Sequence, residues 1–307
     1  MNILIVGLGS IAKKHIKALE HLNLDATIYA LRSDANASKV ENVINVFDLE
    51  AVDVSFDFAI ISNPTHLHFE FIERLALKHI PLFIEKPAVH TLDNSETLTQ
   101  IIKDNNLITY VACNLRFHPC LSFLWDTLQR EQLRINEVNV YCGSYLPEWR
   151  ANKDYKSIYS ANADMGGGVH LDLFHEIDYT TWLFGFPNKS SSVLRSTSSI
   201  DINAYDYANY ILEYDTFTAN IVLNYYRRKA KREIELVLDM ETITVDLINN
   251  TVVSDLGKTL FEAKDYSIQR TYESQLKYFT DVLKQNIQPM NSFNESIKNL
   301  KICLQHD

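Results

Sequence analysis

Lys86, His175 and Asp172 have the side-chain types and the settings for moving a proton beside a developing charge. Histidine titrates near neutrality, so its ring can exchange a proton with a hydroxyl. A lysine ammonium polarises an oxygen on which charge builds, and a carboxylate can orient or balance either group. Lys86 directly follows the apolar run Leu82-Phe83-Ile84, and Pro87 after it stops a strand and restricts the lysine's backbone. Asp172 and His175 fall in a segment opened by Gly166-Gly167-Gly168, expected to run as one helix to about Phe184 before Gly185 and Pro187. On such a helix Asp172 and Asp178 each lie one turn from His175, within side-chain reach, and the three glycines would let a ligand approach the backbone closely. Taken singly, His175 reads as a core histidine satisfied by Asp178, and Lys86 as a surface lysine. Together they suit proton transfer beside a developing charge, chemistry for which the chain must also hold a reacting partner.

The first forty residues answer that need. Asn2-Ile3-Leu4-Ile5-Val6 reads as a strand buried on both faces. Gly7-Leu8-Gly9-Ser10-Ile11-Ala12 follows, then a helix with Ala12, Ile16 and Leu19 on one face, then a strand from Ala26 to Leu31. In this context a glycine turn reads as a dinucleotide fingerprint. Gly7 permits the turn, and Gly9 lets the backbone near a pyrophosphate. The amides from Ser10 and Ile11 open the helix toward phosphate. Arg32-Ser33 stands at the end of the second strand, where an NAD enzyme usually has an acidic residue, and a guanidinium beside a hydroxyl suits a 2′-phosphate. The expected cofactor is NADP(H) in preference to NAD(H). Phe58-Ala59-Ile60-Ile61 ends in Ser62-Asn63-Pro64-Thr65-His66, a loop placed to line the same crevice, with Thr65 as the expected helix cap. Asn63, Pro64, His68, Glu85 and Lys86 are thus candidate cofactor contacts, although His66 and His68 also suit solvated or capping roles.

The elements that position these groups are legible in outline. Six strands, most of them alternating with helices, end near His118, and Pro119 suits the first turn of the next helix. The expected organisation is a doubly wound, parallel Rossmann domain over residues 1–118 and an α+β domain over 119–307. The second half holds a strand from Ile135 to Cys142, a polar and aromatic stretch from Tyr145 to Ser160, and alternating strands from Ser191 to Ser254. Its tail is a helix with Tyr272, Leu276, Phe279 and Leu283 in register. Arg116, Trp149, Arg150, Tyr155 and Lys156 are candidate substrate contacts. The chain of 307 residues is 46% hydrophobic and carries a formal charge of −10, which argues against nucleic acid and anionic membrane surfaces. No run approaches the ~20 apolar residues of a membrane span, and the four cysteines lack metal-like spacing; with Met1 running directly into the first strand, no signal peptide is expected. A cytoplasmic location and no metal are expected.

Taken together, Gly7-Leu8-Gly9, Asn63-Pro64-Thr65, His68, Glu85-Lys86-Pro87, Arg116 and the triple glycine leading to His175-Glu176-Ile177-Asp178 resemble the glucose–fructose oxidoreductase/inositol dehydrogenase (Gfo/Idh/MocA) family. The resemblance implies a pyridine-nucleotide oxidoreductase acting on sugars or polyols. It also implies a large open, mostly antiparallel sheet in the second domain that builds homodimers or homotetramers. It carries Lys86 and His175 over as catalytic residues. Many members place an aspartate four residues before that histidine, where this chain has Leu171, with Asp172 one residue later. Asp172 and its neighbours, with Trp149-Arg150 and Asp154-Tyr155, resemble a subgroup found with surface-polysaccharide or acidic-sugar biosynthesis. The competing expectation is a cofactor-binding sensor or scaffold without chemistry, which would need neither Lys86 nor His175.

Overall fold

The computed structural model describes residues 1–34, 36, 38–150 and 153–305. These divide into two compact units, 1–114 with 267–300 and 115–266 with 301–305. The first unit opens with β1 (Asn2–Val6), α1 (Ser10–His21), β2 (Thr27–Leu31), β3 (Val43–Val46) and β4 (Phe58–Ile61). It continues with α2 (His68–Leu77), β5 (Leu82–Ile84), α3 (Ser95–Asp104) and β6 (Thr109–Val111). The sheet order is β3-β2-β1-β4-β5-β6, every pairing parallel. This order reverses at β1, so the carboxyl ends of β1 and β4 open the crevice where doubly wound sheets bind ligands. The unbroken apolar runs follow from burial on both faces: Ile3, Leu4 and Ile5 are wholly inaccessible, as are the four residues of β4.

The second unit starts with α4 (Pro119–Arg130), with proline in its first turn and the His118 ring accepting from the Cys120 amide. Then come β7 (Ile135–Tyr145), a run of short 3₁₀ turns, α5 (Val169–Asp172) and α6 (His175–Phe184). The strands that follow are β8 (Lys189–Arg195), β9 (Tyr207–Glu213), β10 (Thr218–Asn224), β11 (Tyr226–Leu238), β12 (Thr242–Asp246), β13 (Thr251–Ser254) and β14 (Thr259–Glu262). They form one sheet with β7, ordered β14-β13-β12-β11-β7-β10-β9-β8 and parallel only between β7 and β10. Helices pack on one face, α4 against β12 and β14, α5 against β9 and β10, and α6 against β7. Trp125 of α4 stacks on Trp182 of α6 at 4.6 Å between ring centroids. The fold class is therefore the one the sequence implies.

Three expectations change. The helix expected from Gly168 to Phe184 is two, because Leu173 leaves helical geometry at φ −98°, ψ 36°, so His175 starts α6 instead of sitting two turns inside a helix. Thr65 begins a 3₁₀ turn and does not cap α2, which starts at His68. The division between units falls at Asn114, not after His118, and the tail helix α7 (Gln269–Gln285) joins the first unit. The reason is burial. α7 packs along α1, and Phe279 sets its ring edge-on against Phe58 and Phe83 at 5.3 and 5.5 Å. That apolar stripe covers strands of the first sheet. The last helix, α8 (Phe293–Leu304), follows, and its residues from Lys301 belong to the second unit.

Candidate active site

In the first unit, the turn after β1 places Gly7 at φ +81°, where a β-carbon would also meet Asn63 at 2.8 Å. Only glycine meets both demands. Gly9 differs: a β-carbon there would meet nothing within 4 Å. Gly9 precedes α1 without any side-chain cap, and no acidic residue lies in the first turn. Uncapped amides at the positive end of a helix make an anion seat. Beside it, both amide atoms of Asn63 are buried and find no hydrogen-bond partner within the protein. A buried amide left so is costly unless a ligand completes it. The open space at Gly9, the bare helix end and the Asn63 amide together fit the phosphates and adjoining groups of a dinucleotide held by Gly7, Gly9, Ser10, Ile11 and Asn63, with exposed Pro64 alongside.

Arg32 lies at the end of β2, its Nη1 donating to the Ser38 carbonyl at 2.7 Å and to Asn45 Oδ1 at 3.1 Å, while Ser33 is exposed. These contacts hold the guanidinium at the strand end. His68 is only 1% exposed, with its ring nitrogens 3.1 Å from the Ala88 carbonyl and 3.0 Å from the Asn63 carbonyl. Burial lowers its pKa, against the opposing pull of those carbonyls. It is a strut between the loops after β4 and β5. Glu85 likewise turns inward. Its Oε1 accepts from His15 Nε2 at 2.5 Å and its Oε2 from the Lys86 amide at 3.2 Å. Burial alone would raise the Glu85 carboxyl, but the His15 hydrogen bond and the neighbouring positive charge outweigh it and hold it below the usual range. His15 lies on α1, so the pair ties the helix that begins at the glycine turn to the loop carrying Lys86. Lys86 itself is partly exposed just beyond β5.

In the second unit, Asp172 ends α5 with both carboxylate oxygens engaged by phenols. Tyr159 donates to Oδ1, and Tyr225 donates to Oδ2 at 2.5 Å. Trp149, 38% exposed, stands edge-on to Tyr225 at 5.2 Å, and its indole N–H donates to Ser144 Oγ at 2.9 Å. Burial, the Asp172 charge and the bond to Asp172 push the Tyr225 hydroxyl well above the usual phenol range, with a Ser160 hydrogen bond opposing. His175 is partly exposed at the start of α6. The structure thus gathers Trp149 and Asp172 through Tyr225 and Tyr159, two residues that the sequence did not single out.

The remaining substrate candidates separate. Arg116 is fully buried, its Nε and Nη2 donating to the two oxygens of Asp178 at 3.0 and 2.6 Å. A bidentate buried pair of this kind fixes α6 to the segment before α4. Tyr155 donates to the Ile200 carbonyl at 2.9 Å, and Lys156 pairs with Asp201 at 2.7 Å. Both pin their loop to residues 200–201. Arg150 is exposed.

The glycine stretch also has a different purpose from the one expected. A β-carbon on Gly167 would strike the carbonyls of Tyr159 and Asn162, the latter at 2.7 Å. One on Gly168, at φ +129°, would strike the His170 ring at 2.7 Å. The space these glycines leave is filled by the chain itself and not by a ligand. Among the described residues no group of histidine, cysteine or carboxylate side chains is arranged to hold a metal ion.

The parallel sheet, with an anion seat after β1 and Lys86 just past β5, is joined in sequence to an α+β unit that carries Asp172 and His175. Residues 1–113 match the model of an oxidoreductase family with an NAD-binding Rossmann fold, GFO_IDH_MocA. Among curated proteins, the chain is 26% identical over 221 residues to inositol 2-dehydrogenase of Rhizobium meliloti, covering 68% of this chain and 64% of that protein. It is 26% identical over 161 residues to levoglucosan dehydrogenase of Pseudarthrobacter phenanthrenivorans, covering 52% of this chain and 39% of that protein. These alignments span less than two thirds of either relative. A solved levoglucosan dehydrogenase in complex with NADH and levoglucosan has the same fold, with a TM-score of 0.86 at 15% identity over 100% of this chain and 96% of that one. Over residues 1–113 the chain is thus similar to the NAD-binding part of the Gfo/Idh/MocA oxidoreductases.

Proposed function

We propose that this protein is an NAD(P)-dependent dehydrogenase or reductase acting on a secondary hydroxyl or carbonyl of a sugar, sugar derivative or polyol. The observation that carries the reading is the uncapped, unobstructed start of α1 beside the unpartnered Asn63 amide, in a chain that also presents Lys86 just past β5. When bound, a nicotinamide cofactor supplies a hydride acceptor or donor. The chain's own groups do the rest. A ring nitrogen of His175 takes the hydroxyl proton during oxidation and returns it during reduction. The Lys86 ammonium donates to the reacting oxygen and stabilises charge there. Asp172 supplies a fixed negative charge in the second unit's share of the chemistry. In this reading residues 1–118 bind cofactor and residues 119–307 bind substrate, except that α7 supports the first. Trp149 and Arg150 offer an apolar face and a positive charge to the substrate, in keeping with an acidic or activated sugar.

NADP(H) is the proposed cofactor, on the strength of Arg32 at the end of β2. Arg32→Ala should weaken NADP(H) about tenfold, roughly 1.4 kcal/mol, and leave NAD(H) unchanged; tighter binding of NAD(H) by the unaltered protein would reverse the assignment. We also propose a cytoplasmic homodimer or homotetramer formed through the sheet face away from the helices. Tyr226, Ile211 and Val193 lie on that face, 36 to 47% exposed. No described helix is long and apolar enough to cross a membrane. Sedimentation showing only monomer at micromolar concentration would exclude that assembly.

The deciding experiment is a screen of sugars, sugar nucleotides and polyols that follows absorbance of the reduced cofactor. On the substrate found, Lys86→Ala and His175→Ala should each lose at least ~100-fold in turnover while still binding cofactor. Unchanged turnover in both would refute the assignment, and a protein that binds NADP(H) but turns over nothing would favour the sensor.

A further inference from the structure

The paired phenols on Asp172 go beyond what a lone candidate carboxylate requires. An ionised carboxylate only accepts hydrogen bonds, and a phenol can donate one. Here each oxygen of Asp172 receives one phenolic proton, from Tyr159 and from Tyr225. Hydrogen bonds made to the charged form favour that form. The linkage is reciprocal: the Asp172 charge keeps Tyr225 protonated, and the protonated phenol keeps Asp172 ionised. Tyr225 is wholly buried and its neighbour Trp149 closes one side, so this oxygen's donor is not readily exchanged for water.

The second donor depends on the glycine stretch. Tyr159 sits on a turn whose carbonyls at Tyr159 and Asn162 occupy the place of a Gly167 side chain. The Asn162 carbonyl accepts from the Gly167 amide at 2.9 Å, and the Asn162 side chain reaches back to the Ile158 carbonyl at 2.9 Å. The turn is thus seated on Gly167, and its seating sets the Tyr159 hydroxyl on a carboxylate five residues further along.

We propose that Tyr159 and Tyr225 are positioning residues that hold Asp172 as a permanent, oriented anion, so that Asp172 supplies charge and does not itself accept the substrate proton. The work of proton transfer then falls to His175. This inference rests on the proposed reading of Asp172 as part of the reacting centre, but the clamp is testable without any substrate. Aspartate labelled with ¹³C at the side-chain carboxyl, in the full-length protein, allows the Asp172 signal to be followed against pH, with Asp172→Asn identifying it. In Tyr159→Phe, which keeps the ring and removes the donor, Asp172 should bind its proton about tenfold more tightly than in the unaltered protein. Tyr225→Phe should act in the same direction, and because that side chain is buried, Tyr159→Phe carries the test alone should the other variant not fold. An unchanged Asp172 titration in a folded Tyr159→Phe protein would overturn the proposal. With a substrate in hand, Tyr159→Phe should lower kcat with KM little changed and move the acidic limb of the kcat/KM profile to higher pH. An altered titration with no catalytic effect would leave the clamp standing and refute only the placing of Asp172 at the reacting centre.

Discussion

The chain has two glycine motifs that open helices, and they do opposite things. At Gly7-Leu8-Gly9 the first glycine packs against Asn63 and the second faces empty space at a bare helix end. At Gly166-Gly167-Gly168 the positions vacated by the last two glycines are filled by the carbonyls of Tyr159 and Asn162 and by the His170 ring. The first motif leaves room for something outside the chain. The second lets the chain come close to itself and assembles a carboxylate with its donors. A missing side chain therefore signals close approach in both cases, and only the surroundings tell whether the approaching group is a ligand or the backbone.

The contrast is best broken with alanine. Gly167→Ala should be the more damaging, because backbone carbonyls cannot swing aside as a flexible side chain does. A loss of about 3 kcal/mol, seen as a lower urea midpoint, is expected from such overpacking. Tolerance of this change would mean that the Tyr159 turn is not seated on Gly167.

Acid should sharpen the contrast by acting on the second unit's packing. Burial depresses both His118 and His170 there to about 4. Free histidine titrates near 6.5, so between these values the unfolded chain binds more protons than the folded one. The contribution is fully present above about pH 6.5 and is lost as pH falls toward 4. Denaturation at pH 7.5 and pH 4.5 should differ by roughly 5 kcal/mol from the two rings together. Equal stability at the two pH values would show the rings to be charged within the fold.

Gly9→Ala should have the smallest effect on folding. Its backbone, at φ −81° and ψ −168°, suits any residue. Alanine restricts the unfolded chain but is a poorer residue at a helix start, so the net change should stay under about 1 kcal/mol. Cofactor affinity measured by calorimetry should nevertheless fall about tenfold or more, roughly 1.4 kcal/mol. Unaltered affinity would remove the main ground for placing phosphate at this turn.

Local signals in the sequence account for most of the fold. The apolar run of β1, the glycine turn and the proline opening α4 act over a few residues, and those elements stand where the pattern puts them. The break at Leu173 was hidden because α5 and α6 both continue an apolar pattern compatible with one helix. What depends on distant partners was not legible at all. Arg116 and Asp178 are 62 positions apart, and Tyr225 meets Asp172 across 53. His68 looked available to ligand because nothing nearby in sequence announces the carbonyl of Ala88 as its acceptor. The same holds for α7, whose periodicity announced a helix but not which sheet it covers.

The return of α7 to the first unit has a consequence for a chain made from its amino end. The six strands of the parallel sheet are all synthesised by Val111, yet the helix that supplies Phe279 against Phe58 and Phe83 begins only at Gln269. Throughout the intervening stretch, the nascent sheet has a bare aromatic patch, of the kind that chaperones bind and that drives aggregation. The intervening unit has its own strands and helices complete by Glu262, apart from the chain's last few residues. The making of α7, rather than the folding of the strands themselves, is therefore the event that seals the earliest-made portion of the molecule.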